Sequence, residues 1–343
     1  MRVPVAVSAD KRSLSKKAGR WKWWSLAWLL PVLLTSPACN RQSINCGVEC
    51  TQPPNEKLFN FGFEGVTIQQ AGNSAYISGT DTAYPDHNQW DAFRDNPDGT
   101  LSIYYEDGDL SQRRAAIVPA PDNPENHVLL FEIAEPNVKK GRRKKARVQM
   151  QFHQTRCIQE YYQTCRLYLP KASMEYLTQY PEPIHWLTLF EFWNNANWTR
   201  EKHPFRIAVG LWKAAGVGQS LFFHVKAEVD KSLGGFDPIW EEVNERAPLL
   251  FDRWLTITLY VREGDADHGR FYMAVTPDGG QKQVLFDIRN FTQHPKETCP
   301  DGYTHIHPMK LYTSDAVVNH MKAGGRKLQV YWDDWVVYRN KKP

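Results

Sequence analysis

The sequence predicts an all-β fold, a two-sheet antiparallel sandwich with short helices confined to its loops. Three observations predict it. From Lys57 onward, short segments of apolar/polar alternation recur between turn residues. No helical period is sustained over three turns in that stretch. Neither an internal repeat nor a break in composition divides it, so about a dozen strands in one run favour a single sandwich over two domains.

The bulk composition agrees. Of 343 residues, 42% are hydrophobic and 23% charged, a globular rather than a disordered balance. The formal net charge of +4 is mild and is concentrated in the N-terminal segment and the run Lys139–Arg147, so it gives no support for a nucleic-acid partner. Aromatic residues make up 13%, with thirteen Trp. Such side chains join a flat apolar face to a polar handle and suit sugar stacking, although most of them in any sandwich fill the core.

Residues 1–38 read as a signal peptide. A long basic region (Arg2, Lys11, Arg12, Lys16, Lys17, Arg20, Lys22) precedes the apolar run Trp23 to Leu34, which Pro31 breaks and which is too short to span a bilayer comfortably. Ser36-Pro37-Ala38-Cys39 follows, with the small residues that cleavage requires. Cys39 stands where a bacterial lipoprotein carries its lipid, with Ser36 in the position where Leu is usual. The expected location is therefore secreted, periplasmic or on the cell surface, and the only expected membrane contact is a lipid at Cys39. Residues 39–56, polar and with Pro53-Pro54, read as a tether, and residues 57–343 as the folded domain. Export permits disulfides. Cys157 and Cys165 flank a strand junction and are expected to staple a hairpin, with Cys46, Cys50 and Cys299 open as to pairing. No CxxC pair occurs, and neither a metal nor a cofactor is expected.

Within the domain, Phe59–Phe63 reads as the first strand, and Asn96-Pro97-Asp98-Gly99 as a turn into Leu101–Tyr105. Ala115–Pro119 and Val128–Ile133 are short apolar strands. Next comes Lys139–His153, KKGRRKKARVQMQFH, in which a basic run passes into strict alternation. Ala146, Val148, Met150 and Phe152 point one way; Arg147, Gln149, Gln151 and His153 point the other. That polar face is a row of cationic and hydrogen-bonding groups suited to an anionic, hydroxyl-rich ligand. Cys165–Leu169 follows, then Lys171–Gln179 as a short helix or irregular crossover. The remaining expected strands are Ile184–Trp193, Phe205–Trp212, Leu221–Val229, Trp254–Arg262, Arg270–Thr276, Gln283–Asp287, Met309–Ser314 and Leu328–Tyr338. Asp230–Pro248 is expected to be a long loop, and Asp278-Gly279-Gly280 a hairpin turn.

Lys145-Ala146-Arg147-Val148-Gln149, Trp186 to Trp193, Lys310-Leu311-Tyr312 and Tyr331 to Tyr338 occur in the order and spacing of a known family. The chain resembles the concanavalin A-like jelly-roll polysaccharide lyases, the group holding alginate, glucuronan and heparin lyase I-type enzymes. The resemblance spans most of residues 57–340 and implies a jelly roll, an acidic polysaccharide as partner and cleavage by β-elimination. It maps the family's Arg onto Arg147 and its late Lys and Tyr onto Lys310 and Tyr312. Glu191 and Trp193 stand where the family carries Gln and His two residues apart.

Elimination from a uronate needs a neutralised carboxylate, a base for the neighbouring proton and an acid for the leaving oxygen. The expected catalytic residues are Tyr312, Arg147, Lys310 and His224. Gln149, Gln151, His153, Glu191, Trp193, Arg206 and Lys226 are expected to bind the polymer. For each a structural role is the alternative: a strand-face His is usually solvated, and a strand-face Arg usually forms a salt bridge. Two other functions stay open, a carbohydrate-binding module without chemistry and a glycoside hydrolase using Glu191 with another carboxylate such as Glu228. The domain is expected to be a monomer.

Overall fold

Each alternating stretch read in the sequence forms a strand in the computed structural model, which describes residue 50 and residues 55–84, 88–93, 99–106, 111–136, 145–194, 203–231 and 235–343. The signal peptide, Cys39, Cys46, most of the tether and the basic run Lys139–Lys144 lie outside the described residues.

The strands form two antiparallel sheets. One has the order β15 (Gln283–Arg289), β14 (Arg270–Pro277), β13 (Trp254–Arg262), β8 (Glu160–Tyr168), β17 (Leu328–Arg339), β6 (His127–Ile133) and β5 (Arg113–Pro119), with β1 (Glu56–Phe61) also paired to β17. The other has the order β12 (Phe236–Val243), β11 (Phe222–Asp230), β10 (Phe205–Lys213), β9 (Ile184–Asn194), β16 (His305–Ser314), β7 (Lys145–His153), β4 (Thr100–Glu106), β3 (Ser74–Gly79) and β2 (Val66–Ala71). This is the all-β jelly-roll sandwich that the sequence predicts.

Alternation dictates what each sheet buries. On β7, Ala146, Val148, Met150 and Phe152 enter the core, and Arg147, Gln149, Gln151 and His153 take the opposite face. Aromatic contacts join the two inner faces: Phe59 meets Phe152 edge-on at 5.2 Å, Phe190 meets Trp332 at 5.3 Å, and Tyr161 meets Phe192 at 5.6 Å. Each such ring, fully buried, contributes roughly 1.5–3 kcal/mol.

Several expectations are corrected. Val66–Ala71 and Ser74–Gly79 form a hairpin at one edge that the pattern did not reveal. The expected loop Asp230–Pro248 contains β12, which is half exposed because only one of its sides has a neighbouring strand. Of the two readings of Lys171–Gln179 the helix holds, as α1 (Lys171–Thr178), whereas Asp315–Ala323 is a further helix, α2, capped by Ser314 Oγ, which accepts from Val317 N. The disulfide is also different: Cys157 bonds to Cys50, and Cys165 is a buried free thiol inside the sandwich. Cys165 points inward on β8, away from Cys157 in the preceding loop, so side-chain direction outweighs closeness in sequence.

Candidate functional site

The site lies on the outer face of the nine-stranded sheet, over β4, β7, β16, β9 and β10. Register assembles it. Tyr312 pairs across the sheet with Arg147, Lys310 with Gln149, and His305 with His153. On the other side of β16, His307 pairs with Glu191 and His305 with Trp193. Arg206 of β10 lies opposite Trp193, and Glu228 of β11 lies opposite Arg206.

A bulge in β16 makes the arrangement possible. Ile306 pairs with Phe152 and Met309 with Met150, so β16 carries one more residue than β7 over that step. Pro308 sits in this irregularity, where its missing N–H costs no ladder bond, and its carbonyl accepts from Gln163 Nε2 at 3.3 Å. The extra residue switches the alternation, so odd-numbered His305 and His307 share a face with even-numbered Lys310 and Tyr312. A second irregularity falls at Val209/Gly210 of β10, where a Cβ on Gly210 would come within 2.2 Å of the Leu187 carbonyl.

Glu191 is the electrostatic centre. It is 1% exposed and is met by three basic side chains. Lys310 Nζ donates to its Oε2, His307 Nδ1 lies 2.9 Å from the same oxygen, and Arg206 Nη1 donates to its Oε1 at 3.1 Å. Burial alone would raise the Glu191 carboxyl, but Lys310, then His307 and Arg206, outweigh it and hold the group well below the usual carboxylate range. Burial pushes Lys310 down to about 7, with Arg147 and Arg206 adding to the effect and Glu191 opposing it. His307 is pushed down to about 3, first by burial and then by the Lys310 charge. It is therefore neutral, and because a carboxylate only accepts, its proton sits on Nδ1 and its Nε2 keeps a lone pair.

Beside this centre is an open cavity of about 360 Å³, lined by Tyr104, Arg147, Gln149, Gln151, His153, His305 and His307. Arg147 lies between two rings, its guanidinium 5.0 Å from the centre of Tyr104 and 5.2 Å from that of Tyr312. Lys310 Nζ is 4.8 Å and Lys145 Nζ 5.7 Å from the centre of the Tyr312 ring, and Trp186 packs edge-on against it at 4.6 Å. Gln149 Nε2 donates to Gln151 Oε1 at 3.1 Å, and Gln151 Nε2 to Ser102 Oγ at 3.0 Å. His153 and His305 stack at 5.9 Å, and burial lowers both, His305 to about 3.

The structure thus brings together Arg147, Gln149, Gln151, His153, Glu191, Lys310 and Tyr312. Arg206 and Trp193 flank them, with the Arg206 guanidinium 5.5 Å from the Trp193 ring. His224 and Lys226 are set apart. His224 stands three strands from β16, roughly 14 Å across the sheet, and its Nε2 meets Glu241 Oε1 at 2.8 Å. Lys226 pairs with Glu228 at 2.6 Å, and Glu228 also accepts from Arg206 at 2.6 Å. His305, His307 and Tyr104 were missed in the sequence. The signal for the two histidines is His305-Ile306-His307-Pro308 directly before Met309, an alternation interrupted by a proline, which marks a bulge rather than a strand start. That for Tyr104 is its place opposite Leu101, Ile103 and Tyr105 in the alternation of β4. Among the described residues no cluster of His, Cys, Asp and Glu has a geometry that would hold a metal ion.

No family model and no curated protein matches the chain. Solved structures do. The marine PL-14 alginate lyase from Aplysia kurodai is 8% identical with a TM-score of 0.43, over 69% of this chain and 90% of that one. The endo-β-1,4-glucuronan lyase from the fungus Trichoderma reesei is 13% identical with a TM-score of 0.42, over the same shares. The alginate lyase Aly36B is 9% identical with a TM-score of 0.43, over 85% of this chain and all of that one. The chain bears a distant structural resemblance to these alginate and glucuronan lyases.

Proposed function

We propose that this protein cleaves an acidic, uronic-acid-containing polysaccharide by β-elimination in the cavity beside Glu191. The observation that carries the reading is the cross-strand pairing of Tyr312 with Arg147, which lines the cavity, with the guanidinium 5.2 Å from the ring. Arg147 neutralises the substrate carboxylate with its planar fork, which makes the adjacent C–H acidic and stabilises the enolate-like charge. Tyr312 takes that proton. The C–O bond to the departing sugar then breaks, a C=C bond forms, and the Tyr312 hydroxyl returns a proton to the leaving oxygen.

Magnitude selects Tyr312 over His307 as the base. An imidazole held near pKa 3 is a weak proton acceptor at neutral pH. Tyr312 instead lies beside three cations, with Arg147, Lys310 and Lys145 around its ring. Lys310, fully buried and bonded to Glu191, supplies potential rather than contact, while Gln149, Gln151 and His153 offer hydrogen bonds to sugar hydroxyls. A hydrolase reading is disfavoured because Glu191 and Glu228 are both held in ion pairs. The Cys50–Cys157 disulfide supports an oxidising, exported location.

The test is absorbance of the unsaturated product on a panel of polyuronates. Tyr312→Phe is expected to lower kcat about 10²–10⁴-fold with the fold intact. Turnover that survives this substitution overturns the assignment to Tyr312. New reducing ends without absorbance indicate hydrolysis, and retained binding with neither signal indicates a module without chemistry.

A further inference from the structure

The outer face of the eight-stranded sheet carries a second organised surface. Tyr272 pairs with Tyr260, Tyr260 with Tyr162, and Tyr162 with Tyr338, giving a row of tyrosines across β14, β13, β8 and β17. The row spans roughly 14 Å over three inter-strand gaps. Every ring lies near a cation. Arg270 is 5.8 Å from the centre of Tyr260 and 5.7 Å from that of Tyr272, and Lys282 is 5.4 Å from Tyr272. Lys341 is 4.5 Å from Tyr162 and 3.8 Å from Tyr338.

A row of arginines runs beside the tyrosines, two residues along the same face. Arg289 opposes Arg270, and Arg270 opposes Arg262. Like charges in directly opposed positions destabilise a sheet. Asp287 takes the Arg270 fork at 2.7 and 3.0 Å, whereas Arg262 Nε donates at 2.6 Å to a neutral carbonyl, that of His268. An open cavity of about 420 Å³ adjoins the row at Arg262 and Glu160, with Lys342 also lining it. Around the tyrosines, five cations thus face the carboxylates of Glu160 and Asp287.

This chemistry selects the occupant. Of the large exposed hydrophobics among the described residues, Val217, Leu250 and Val284, only Val284 adjoins the row, opposite Ala274, and one valine does not make the apolar centre of a protein interface. Tyr260 is 1% and Tyr272 7% exposed, and the partly exposed Tyr162 and Tyr338 have Lys341 over their rings, so the row offers cations rather than open rings for a stacking base. What the face offers is positive charge at intervals across the strands.

We propose that this face is a second, non-catalytic binding surface for an acidic polysaccharide, holding a remote stretch of the polymer whose cleavage we assign to the groove. The identity of the polymer rests on that reading of the groove; the surface itself does not. Holding one polymer at two places raises the effective concentration at the groove.

The experiment uses the full chain in affinity electrophoresis through gels containing alginate, poly-glucuronate or neutral hydroxyethyl cellulose. Lys282→Glu/Arg289→Glu changes exposed side chains only, and Arg262→Ala is a second variant; thermal melting checks that each folds. Retardation by a polyuronate is expected to weaken at least tenfold in both, with no change in the neutral gel and unaltered kcat on short oligouronates. Arg147→Ala and Tyr312→Phe, in the groove, are expected to keep most of the retardation. If the groove proves inactive, that outcome removes the lyase reading and leaves this measurement readable. Undiminished retardation in folded Lys282→Glu/Arg289→Glu overturns the proposal. So does loss caused only by the groove variants, or tighter retention on single-stranded RNA than on either polyuronate.

Discussion

Replacing Glu191 by Gln is the sharpest test of how the site is held together. The change removes one charge from a buried cluster and leaves Lys310, which is 0% exposed, without its carboxylate partner. Removing one member of a buried ion pair costs about 3–5 kcal/mol, because the remaining charge is neither solvated nor paired. Arg206 loses less, since Glu228 still receives it at 2.6 Å. In a domain of this size the loss corresponds to a drop in melting temperature on the order of 10 °C. The direction of the pH dependence follows from Lys310. Burial holds it at about 7 while the Glu191 charge opposes that lowering, so without Glu191 it falls further. From that lower value up to about pH 7 folded wild type keeps a proton that the folded variant has lost, and the gap between them narrows as pH rises through this range. The gap between variant and wild type is therefore expected to be larger at pH 6 than at pH 9. Urea denaturation at the two pH values, run on Glu191→Gln, Lys310→Met and the double variant, measures this. The double variant is expected to regain most of the loss, since an apolar side chain of similar volume needs no partner. A gap below about 1 kcal/mol at pH 6, a gap that widens with pH, or no recovery in the double variant would refute the assignment.

Three further outcomes follow. Cys165 is fully buried and burial raises its thiol, so iodoacetamide should leave it unmodified in the native protein and label it in denaturant, read by peptide mass spectrometry; native labelling contradicts its place in the core. Burial raises the Glu263 carboxyl to about 8, so its contribution is complete below the unfolded value near 4.5 and is lost as pH rises through about 8. Wild-type stability should therefore fall over that range, and Glu263→Gln should flatten the slope, leaving the similar contribution of Asp333, which burial raises to about 7. Gly302→Ala should destabilise by more than about 1 kcal/mol, because Gly302 has φ +98 and a Cβ there would lie 2.5 Å from Ile158 N. A melting temperature equal to the wild type's would count against that loop geometry.

The alternation of side chains by itself determined the fold class and most of the strands, because a strand's two faces depend only on neighbours in the chain. It also determined that Arg147, Gln149, Gln151 and His153 share a face, and that Lys310 and Tyr312 share one. The tertiary structure decided which faces meet. Arg147 lies beside Tyr312 because β7 and β16 are neighbours, which separation in sequence does not reveal. His224 lies three strands away for the same reason. His305 and His307 join the site only through the bulge at Pro308, which switches the alternation, and a pattern read two residues at a time cannot follow that switch. The edge strands β2 and β12 show no clean alternation because a strand with one neighbour buries too little. The roles of the charges were likewise tertiary. Glu191 reads as a carboxylate on a strand face, and only the convergence of Lys310, His307 and Arg206 from two neighbouring strands makes it the buried centre of the site. The basic run before β7 was the most conspicuous charge in the sequence, yet burial and cross-strand pairing, which set the worth of a charge, placed the cationic centre at Arg147, Arg206 and Lys310.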